Sequence, residues 1–218
     1  MTLISVLEEA VADRRLLDHP FYRSWAEGTL TRDDLSFYAG QYWRQVEAFP
    51  GYLQALLDRL PPGAARDAIA RNLSDERDDD HPGLWVRFAR TLGCDDLDIE
   101  SLEPETKACV EAFRGASQNR SAAFALGMLY AYESQTPEVA KTKIEGLRKF
   151  YGIDGDAVKY FELHGELDVE HAKDLSRALD TVIETDRDGM DAVEGARAGA
   201  TAIYGLLDGV ARVRDIAA

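Results

Sequence analysis

The sequence predicts an all-α protein built as a single bundle of seven or eight helices. Apolar residues recur at three- and four-residue spacing through most of the 218 residues, the period of a helix face turned to a core. No stretch sustains the two-residue alternation with β-branched residues that a half-buried strand needs. No internal repeat, low-complexity linker or composition shift interrupts the chain, so residues 1–218 read as one domain. Such a domain can bury a continuous core without disulfides or structural metal, so that any metal is there for chemistry.

The first helix is expected over about residues 3–16, stopping near Asp18, His19 and Pro20. A second opens after Gly28, with Thr31 as its cap and Asp33 and Asp34 favouring its first turn. It runs to about Asp58, with Pro50 and Gly51 as the place for a bend. Pro61, Pro62 and Gly63 stop it; a third helix reaches Leu73 or slightly beyond, and a fourth begins at Pro82, a residue suited to a first turn. The acidic stretch 75–80 lies between them. After a polar connection over 93–106 come a helix near 107–113 and a long one over 121–151 interrupted by Pro137. Helices near 154–163, 168–184 and 190–214 complete the chain, and the first two of these can be one. In such a bundle, cofactor sites lie among the inward faces.

Charge and composition narrow the function. Forty acids stand against 25 bases, a net charge of −15, spread along the chain, which repels phosphate backbones and argues against nucleic acid. Lysines are only six and aspartate outnumbers glutamate, a balance resembling that of proteins from cells with high internal salt, where such repulsion is screened. No segment approaches the run of about 18–20 apolar residues of a membrane span. The start MTLISVLEEAVADRR carries acids where a signal peptide would be basic and then apolar. Cys94 and Cys109 are too few and too isolated for a zinc site or disulfide framework, which suits a reducing compartment. The expectation is a cytoplasmic protein with no membrane partner; its oligomeric state is open, with a homodimer among the options.

Histidine is the informative residue type. In FELHGELDVEHAKD, His164, Asp168 and His171 fall at about 0°, 40° and −20° around a helix and share one face, whereas Glu162, Glu166 and Glu170 fall elsewhere. Two imidazoles and a carboxylate on one face suit iron or manganese; the bland alternative is a solvated stripe of histidine–aspartate pairs. Glu133 lies in the apolar, aromatic stretch ALGMLYAYESQTP. A carboxylate is costly there unless a cation or hydrogen-bond donor, such as a tyrosine hydroxyl, meets it.

The segments HPFYRSW, FYAGQYWRQVEAFPGYL, NLSDERDDDHPGLW, YAYESQTPEVAKTKIEGL and YFELHGELDVEH resemble, in order, the family of the chlamydial protein associating with death domains. The resemblance covers about residues 1–210. It implies a haem-oxygenase-like di-metal oxidase, related in fold to thiaminase II and to the pyrroloquinoline-quinone synthesis oxidase, that makes para-aminobenzoate for folate synthesis. It further implies metal ligands at Glu76, His81, Glu133, His164, Asp168 and His171, holding two transition-metal ions, iron or manganese or both, with dioxygen as co-substrate and an external reductant. Tyr22 would be the tyrosine whose own side chain becomes the aromatic ring, Lys143 the donor of nitrogen, and Tyr38 and Tyr132 relays between the metals and Tyr22. Read without the resemblance, these tyrosines are packing residues and the lysine a solvated charge.

One interval departs from the family pattern. Glu76 and His81 are five residues apart, about 140° around a continuous helix, and cannot share a face of one. Pro82 disfavours helix at the residue before it, so the helix is expected to break between Asp78 and Pro82; Asp75 or Asp78 is the substitute ligand if Glu76 faces solvent. Rival readings keep the fold and change the chemistry. A thiaminase II type hydrolase needs a cysteine nucleophile, and neither Cys94 nor Cys109 lies in the long aromatic helix. A cofactor-free quinone-synthesis oxidase has no need of Glu76, Glu133 and Asp168. A di-metal oxidase acting on an external small molecule keeps every ligand and dispenses with Tyr22 and Lys143. A non-enzymatic, partner-binding module is the last alternative.

Overall fold

The computed structural model describes residues 2–78, 80–95, 97 and 102–217. They form helices α1 (Leu3–Val11), α2 (Pro20–Glu27), α3 (Arg32–Arg59), α4 (Ala64–Asp78), α5 (His81–Thr91), α6 (Pro104–Asn119), α7 (Ala122–Glu133), α8 (Thr136–Gly146), α9 (Lys159–Val182) and α10 (Asp186–Val213). No strand occurs among the described residues, as the periodicity predicts.

Helix α7 is the axis of the bundle. Its sequence AAFALGMLYAYE is apolar all round, and every residue from Ala123 to Glu133 is buried, as expected of a helix with no solvent face. Its tightest neighbour is α10. A Cβ at Gly127 would collide with the Ala192 carbonyl oxygen, and one at Gly195 with that of Phe124, so glycine on each helix lets the backbones touch. Helices α3, α4 and α9 pack around the other side of the axis and carry most of the polar side chains that face inward.

Differences from the expected elements have local causes. The first helix ends at Val11, and two 3₁₀ turns over Ala12–Arg14 and Leu16–Asp18 follow. Helix α2 is an addition: His19 and Pro20 open a helix rather than close one. Proline at the first position is free of the hydrogen bond it cannot make, and the His19 imidazole accepts from the Phe21 N–H. Thr31 caps α3 in a reciprocal box with Asp34, and α3 continues through Pro50. Helix α6 is longer than expected at both ends, and the two pieces foreseen over 154–184 are the single helix α9. Among the described residues no helix is long and apolar enough to cross a membrane.

Candidate metal centre and tyrosine–lysine chamber

The face predicted for α9 forms. His164, Asp168 and His171 are buried, while Glu162, Glu166 and Glu170 are exposed. Opposite them, α4 presents Glu76, and the chain reverses immediately afterwards to bring back His81. The reversal comes one residue earlier than expected. His81 is itself the first residue of α5; the turn is supplied by Asp80, which adopts a left-handed φ of 50° and caps α5 by accepting from the Gly83 N–H. Aspartate tolerates that conformation better than most side chains. Asp79, within the expected break, lies outside the described residues.

Glu76, His81 and His164 offer one donor atom each within 4.8 Å of one another, all buried. Glu76 Oε2 lies 3.0 Å from His81 Nδ1 and Oε1 lies 3.7 Å from His164 Nε2. The first contact lacks hydrogen-bond geometry and the second is too long for one. Both ring nitrogens of His81 are therefore buried with no hydrogen-bond partner among the described residues. Burial pushes the Glu76 carboxyl up, but contacts with His164 and His81 hold it down at about 2. His164 is anchored from behind by Nδ1, 3.0 Å from the Tyr160 carbonyl, with the Tyr160 ring stacked on it at 4.1 Å.

Glu133, Asp168 and His171 form the second half. Glu133 Oε1 accepts from Asn72 Nδ2 at 2.8 Å, while Oε2 is buried without a hydrogen-bond partner among the described residues. Burial and the neighbouring Asp168 push its carboxyl up to about 8 despite His171 and Asn72. His171 Nδ1 lies 3.2 Å from Asp168 Oδ1 and its Nε2 lies 3.0 Å from Asp75 Oδ2. Glu76, Glu133, His164 and Asp168 line one internal cavity of about 10 Å³, closed by Val46, Phe49, Tyr132 and Tyr160. His171 stands behind Asp168, off the cavity wall. Of the substitutes considered for Glu76, Asp75 faces His171, and Asp78 accepts from Ser74 at the surface. Three carboxylates and one imidazole around this small space, with the imidazoles of His81 and His171 beside them and several atoms unpartnered, cost the fold energy. The donor set fits iron or manganese, and a cation among these atoms would supply the missing partners.

A second internal cavity, about 20 Å³, shares Tyr132, Tyr160 and His164 with the first and is lined also by Tyr22, Tyr42 and Lys143. Lys143 is 4% exposed; its ammonium donates to the Tyr38 hydroxyl at 2.7 Å and lies 5.5 Å from the centre of the Tyr22 ring. Burial lowers its pKa to about 7. The Tyr22 and Tyr38 hydroxyls are 3.5 Å apart, and Tyr42 donates to Tyr132 at 3.0 Å. Burial raises the pKa of all five tyrosines around this space, Tyr22, Tyr38, Tyr42, Tyr132 and Tyr160, and keeps them neutral.

Tyr22, Tyr38, Tyr132 and Lys143 thus meet although they come from α2, α3, α7 and α8. The sequence does not mark Tyr42, Tyr160 and Asn72 as site residues. Each lies one helical turn from a residue it did single out, namely Tyr38, His164 and Glu76, and that spacing was the available signal.

This fold and this buried carboxylate–imidazole centre define a class of oxidoreductase. Residues 36–204 match the model of a family described as iron-containing redox enzyme, and the chain belongs to that family. Among its relatives it is 34% identical to the 4-aminobenzoate synthase of Nitrosomonas europaea, over 94% of this chain and 89% of that protein. It is 35% identical to the 4-aminobenzoate synthase of Chlamydia muridarum, over 95% of this chain and 89% of that one. In fold it is similar to a TenA homologue from Pseudomonas syringae, with a TM-score of 0.84 at 20% identity over 96% of this chain and 91% of that chain.

Proposed function

We propose that this enzyme makes 4-aminobenzoate for folate synthesis, taking the ring from its own Tyr22 and the nitrogen from Lys143. Dioxygen is the oxidant and an external reductant balances the electrons. Two transition-metal ions, iron or manganese or both, held by Glu76, His81, Glu133, His164, Asp168 and His171, would supply dioxygen activation. The names of the two synthases support the product, and the chamber supports the source.

The observation that carries the reading is the size of that chamber relative to what lines it. A space of about 20 Å³ holds a water or so, whereas sites for small organic molecules run to about 300 Å³ or more. An external aromatic substrate would have to widen this space, whereas a phenol ring is already in the wall, with an amine beside it. Tyrosine has the right atoms. Its ring and Cβ are the ring and carboxyl carbon of 4-aminobenzoate, so the conversion breaks Cα–Cβ, oxidises Cβ to the carboxylate at the expense of dioxygen, and forms a ring C–N bond to the lysine nitrogen as the phenolic oxygen leaves as water and the Nζ–Cε bond breaks.

The chain's own residues prepare this exchange. Lys143, with its pKa near 7, presents a substantial fraction of free amine at neutral pH, and only the free amine has the lone pair that a nucleophile needs. Tyr38 accepts from the lysine and lies within 3.5 Å of the Tyr22 hydroxyl, holding both reactants in register at high effective concentration. Tyr42 and Tyr132 join this group to the Glu133 end of α7, a path suited to passing electrons and protons.

The test uses protein grown on ring-labelled tyrosine, then reconstituted in unlabelled buffer with iron, manganese, reductant and oxygen. Labelled 4-aminobenzoate is expected from the wild type and none from Tyr22→Phe. Undiminished product from Tyr22→Phe would reject the self-derived ring and favour an oxidase acting on an external substrate.

A further inference from the structure

Helix α4 places two polar side chains against the second half of the centre besides directing Glu76 into the first. Asn72 donates to Glu133, and Asp75, whose side chain is 41% exposed, reaches His171 Nε2 from the solvent side at 3.0 Å. The other ring nitrogen, Nδ1, faces Asp168 Oδ1 at 3.2 Å. A neutral imidazole has one N–H and one lone pair. Both ring nitrogens thus face a carboxylate, and a neutral ring that donates its N–H outward to Asp75 has its lone pair on Nδ1, beside the Asp168 oxygen, where the ligand atom of His171 would have to lie.

We infer that Asp75 is a positioning residue for the metal centre. It fixes the tautomer and orientation of His171 by accepting the Nε2–H, so that Nδ1 serves as the ligand atom. This inference rests on the two-ion reading above. It separates adjacent acids by direction: Glu76 points into the cavity as a ligand, and Asp75, about 100° further round the helix, acts from outside through a histidine. Carboxylates placed behind metal-bound histidines in this way strengthen the ligand and hold its ring, and losing one costs about 10- to 100-fold in metal affinity. A purely structural ion pair between Asp75 and His171 would instead leave metal binding unchanged and affect only the stability of the metal-free chain.

The full-length chain, stripped of metal and titrated with Mn(II), distinguishes these cases, because the magnetic resonance signal of free Mn(II) reports binding directly. Wild type is expected to take up two ions per chain and His171→Ala one. In Asp75→Ala and in the isosteric Asp75→Asn, one ion should bind as in wild type and the other about 10- to 100-fold more weakly; Asp75→Glu should recover part of the loss. Circular dichroism of each metal-free variant confirms that it is folded. Two ions bound to Asp75→Asn with wild-type affinity, while His171→Ala loses one, would overturn the inference and leave the two-ion reading standing. A folded wild type that binds no Mn(II) would overturn both.

Discussion

The Lys143 ammonium donates to the Tyr38 hydroxyl across 2.7 Å, and among the described residues no carboxylate pairs with it. Aromatic rings surround it: those of Tyr22, Tyr38, Tyr42, Trp85 and Phe161 all lie within 6 Å of Nζ. Rings alone do not repay the loss of water around a full charge, so the pKa falls from the ordinary 10.5 to about 7.

A pH dependence of stability follows from that shift. In the unfolded chain the lysine holds its proton up to about pH 10.5, and in the folded chain only up to about 7. Between these values the unfolded state binds more protons, so stability rises with pH, with this group contributing up to about 1.4 kcal/mol per pH unit. Below pH 7 the penalty is complete. Replacing the lysine by an apolar side chain of similar length removes the dependence. Lys143→Met is expected to be more stable than wild type by up to about 4 kcal/mol at pH 7 and to form no 4-aminobenzoate. Denaturant unfolding of both proteins at pH 7, 8.5 and 10 measures the gap, which should narrow as pH rises; a constant gap contradicts the assignment.

A second prediction concerns the two halves of the centre. Glu76 contacts His81 and His164, while Glu133 contacts Asn72 and neighbours Asp168, yet Glu76, His164, Glu133 and Asp168 all line one space of about 10 Å³. Charges so close, with little water between them, depend on each other through whatever cation they share. Protein from metal-replete cells should carry close to two transition-metal ions per chain. His164→Ala or Asp168→Ala should lose both together, since these two side chains line the shared space and removing either leaves the remaining buried acids uncompensated, whereas His171, off that wall, serves one ion only. Elemental analysis decides this, and equally low metal in wild type and variants would remove the di-metal reading.

How far the sequence reveals this site depends on spacing. The α9 triplet is legible because a continuous helix converts i, i+4 and i+7 into one direction. Glu133 is legible as a carboxylate inside an apolar run. The meeting of Glu76 with His81 is not, because it depends on Asp80 adopting a left-handed conformation, which aspartate permits without demanding. Helix α2 is hidden by the dual meaning of proline, which can end one helix or open the next. The convergence of Tyr22, Tyr38 and Lys143 is a tertiary fact of α2, α3 and α8, and no local period encodes it; only the family resemblance brought those residues together. The different directions of Asp75, toward His171, and Glu76, into the cavity, also need the fold, since neighbours in sequence differ only in which side of α4 they leave.

A third prediction concerns the crossing of α7 and α10, which sets the position of Glu133. The pairing of Gly127 with Ala192 and of Gly195 with Phe124 is reciprocal, and the obstructing atoms are backbone oxygens, which cannot rotate away. Gly127→Ala and Gly195→Ala should each push the helices apart and destabilise the chain by about 1–3 kcal/mol. Alanine's better helix propensity, worth about 1 kcal/mol over glycine, would dominate only if the crossing could relax. Gly165 on α9 is the control, since a Cβ there meets only the Ala140 methyl group at 3.7 Å, and Gly165→Ala should be neutral or stabilising. Thermal unfolding of the three variants measures the difference, and equal melting temperatures would show that the close crossing is not limiting.

The last prediction sets the stoichiometry. If Tyr22 supplies the ring, a chain that has reacted has lost it, and no second substrate can enter a chamber of about 20 Å³ by the same route. Product should therefore rise with the amount of protein and stop at or below one 4-aminobenzoate per chain, however much reductant and oxygen are added. The spent chain should carry the record. Peptide mass spectrometry is expected to show residue 22 without its aromatic side chain and residue 143 without its amine, in proportion to product formed, while Tyr38, Tyr42 and Tyr132 remain intact. Tyr38→Phe removes the acceptor of the lysine's hydrogen bond but keeps the ring packing; it should slow product formation without changing the final ceiling. Several products per chain, or product formed while the peptide bearing Tyr22 stays whole, would place the ring's source outside the protein and return Tyr22 to the role of a packing residue beside an oxidase that turns over.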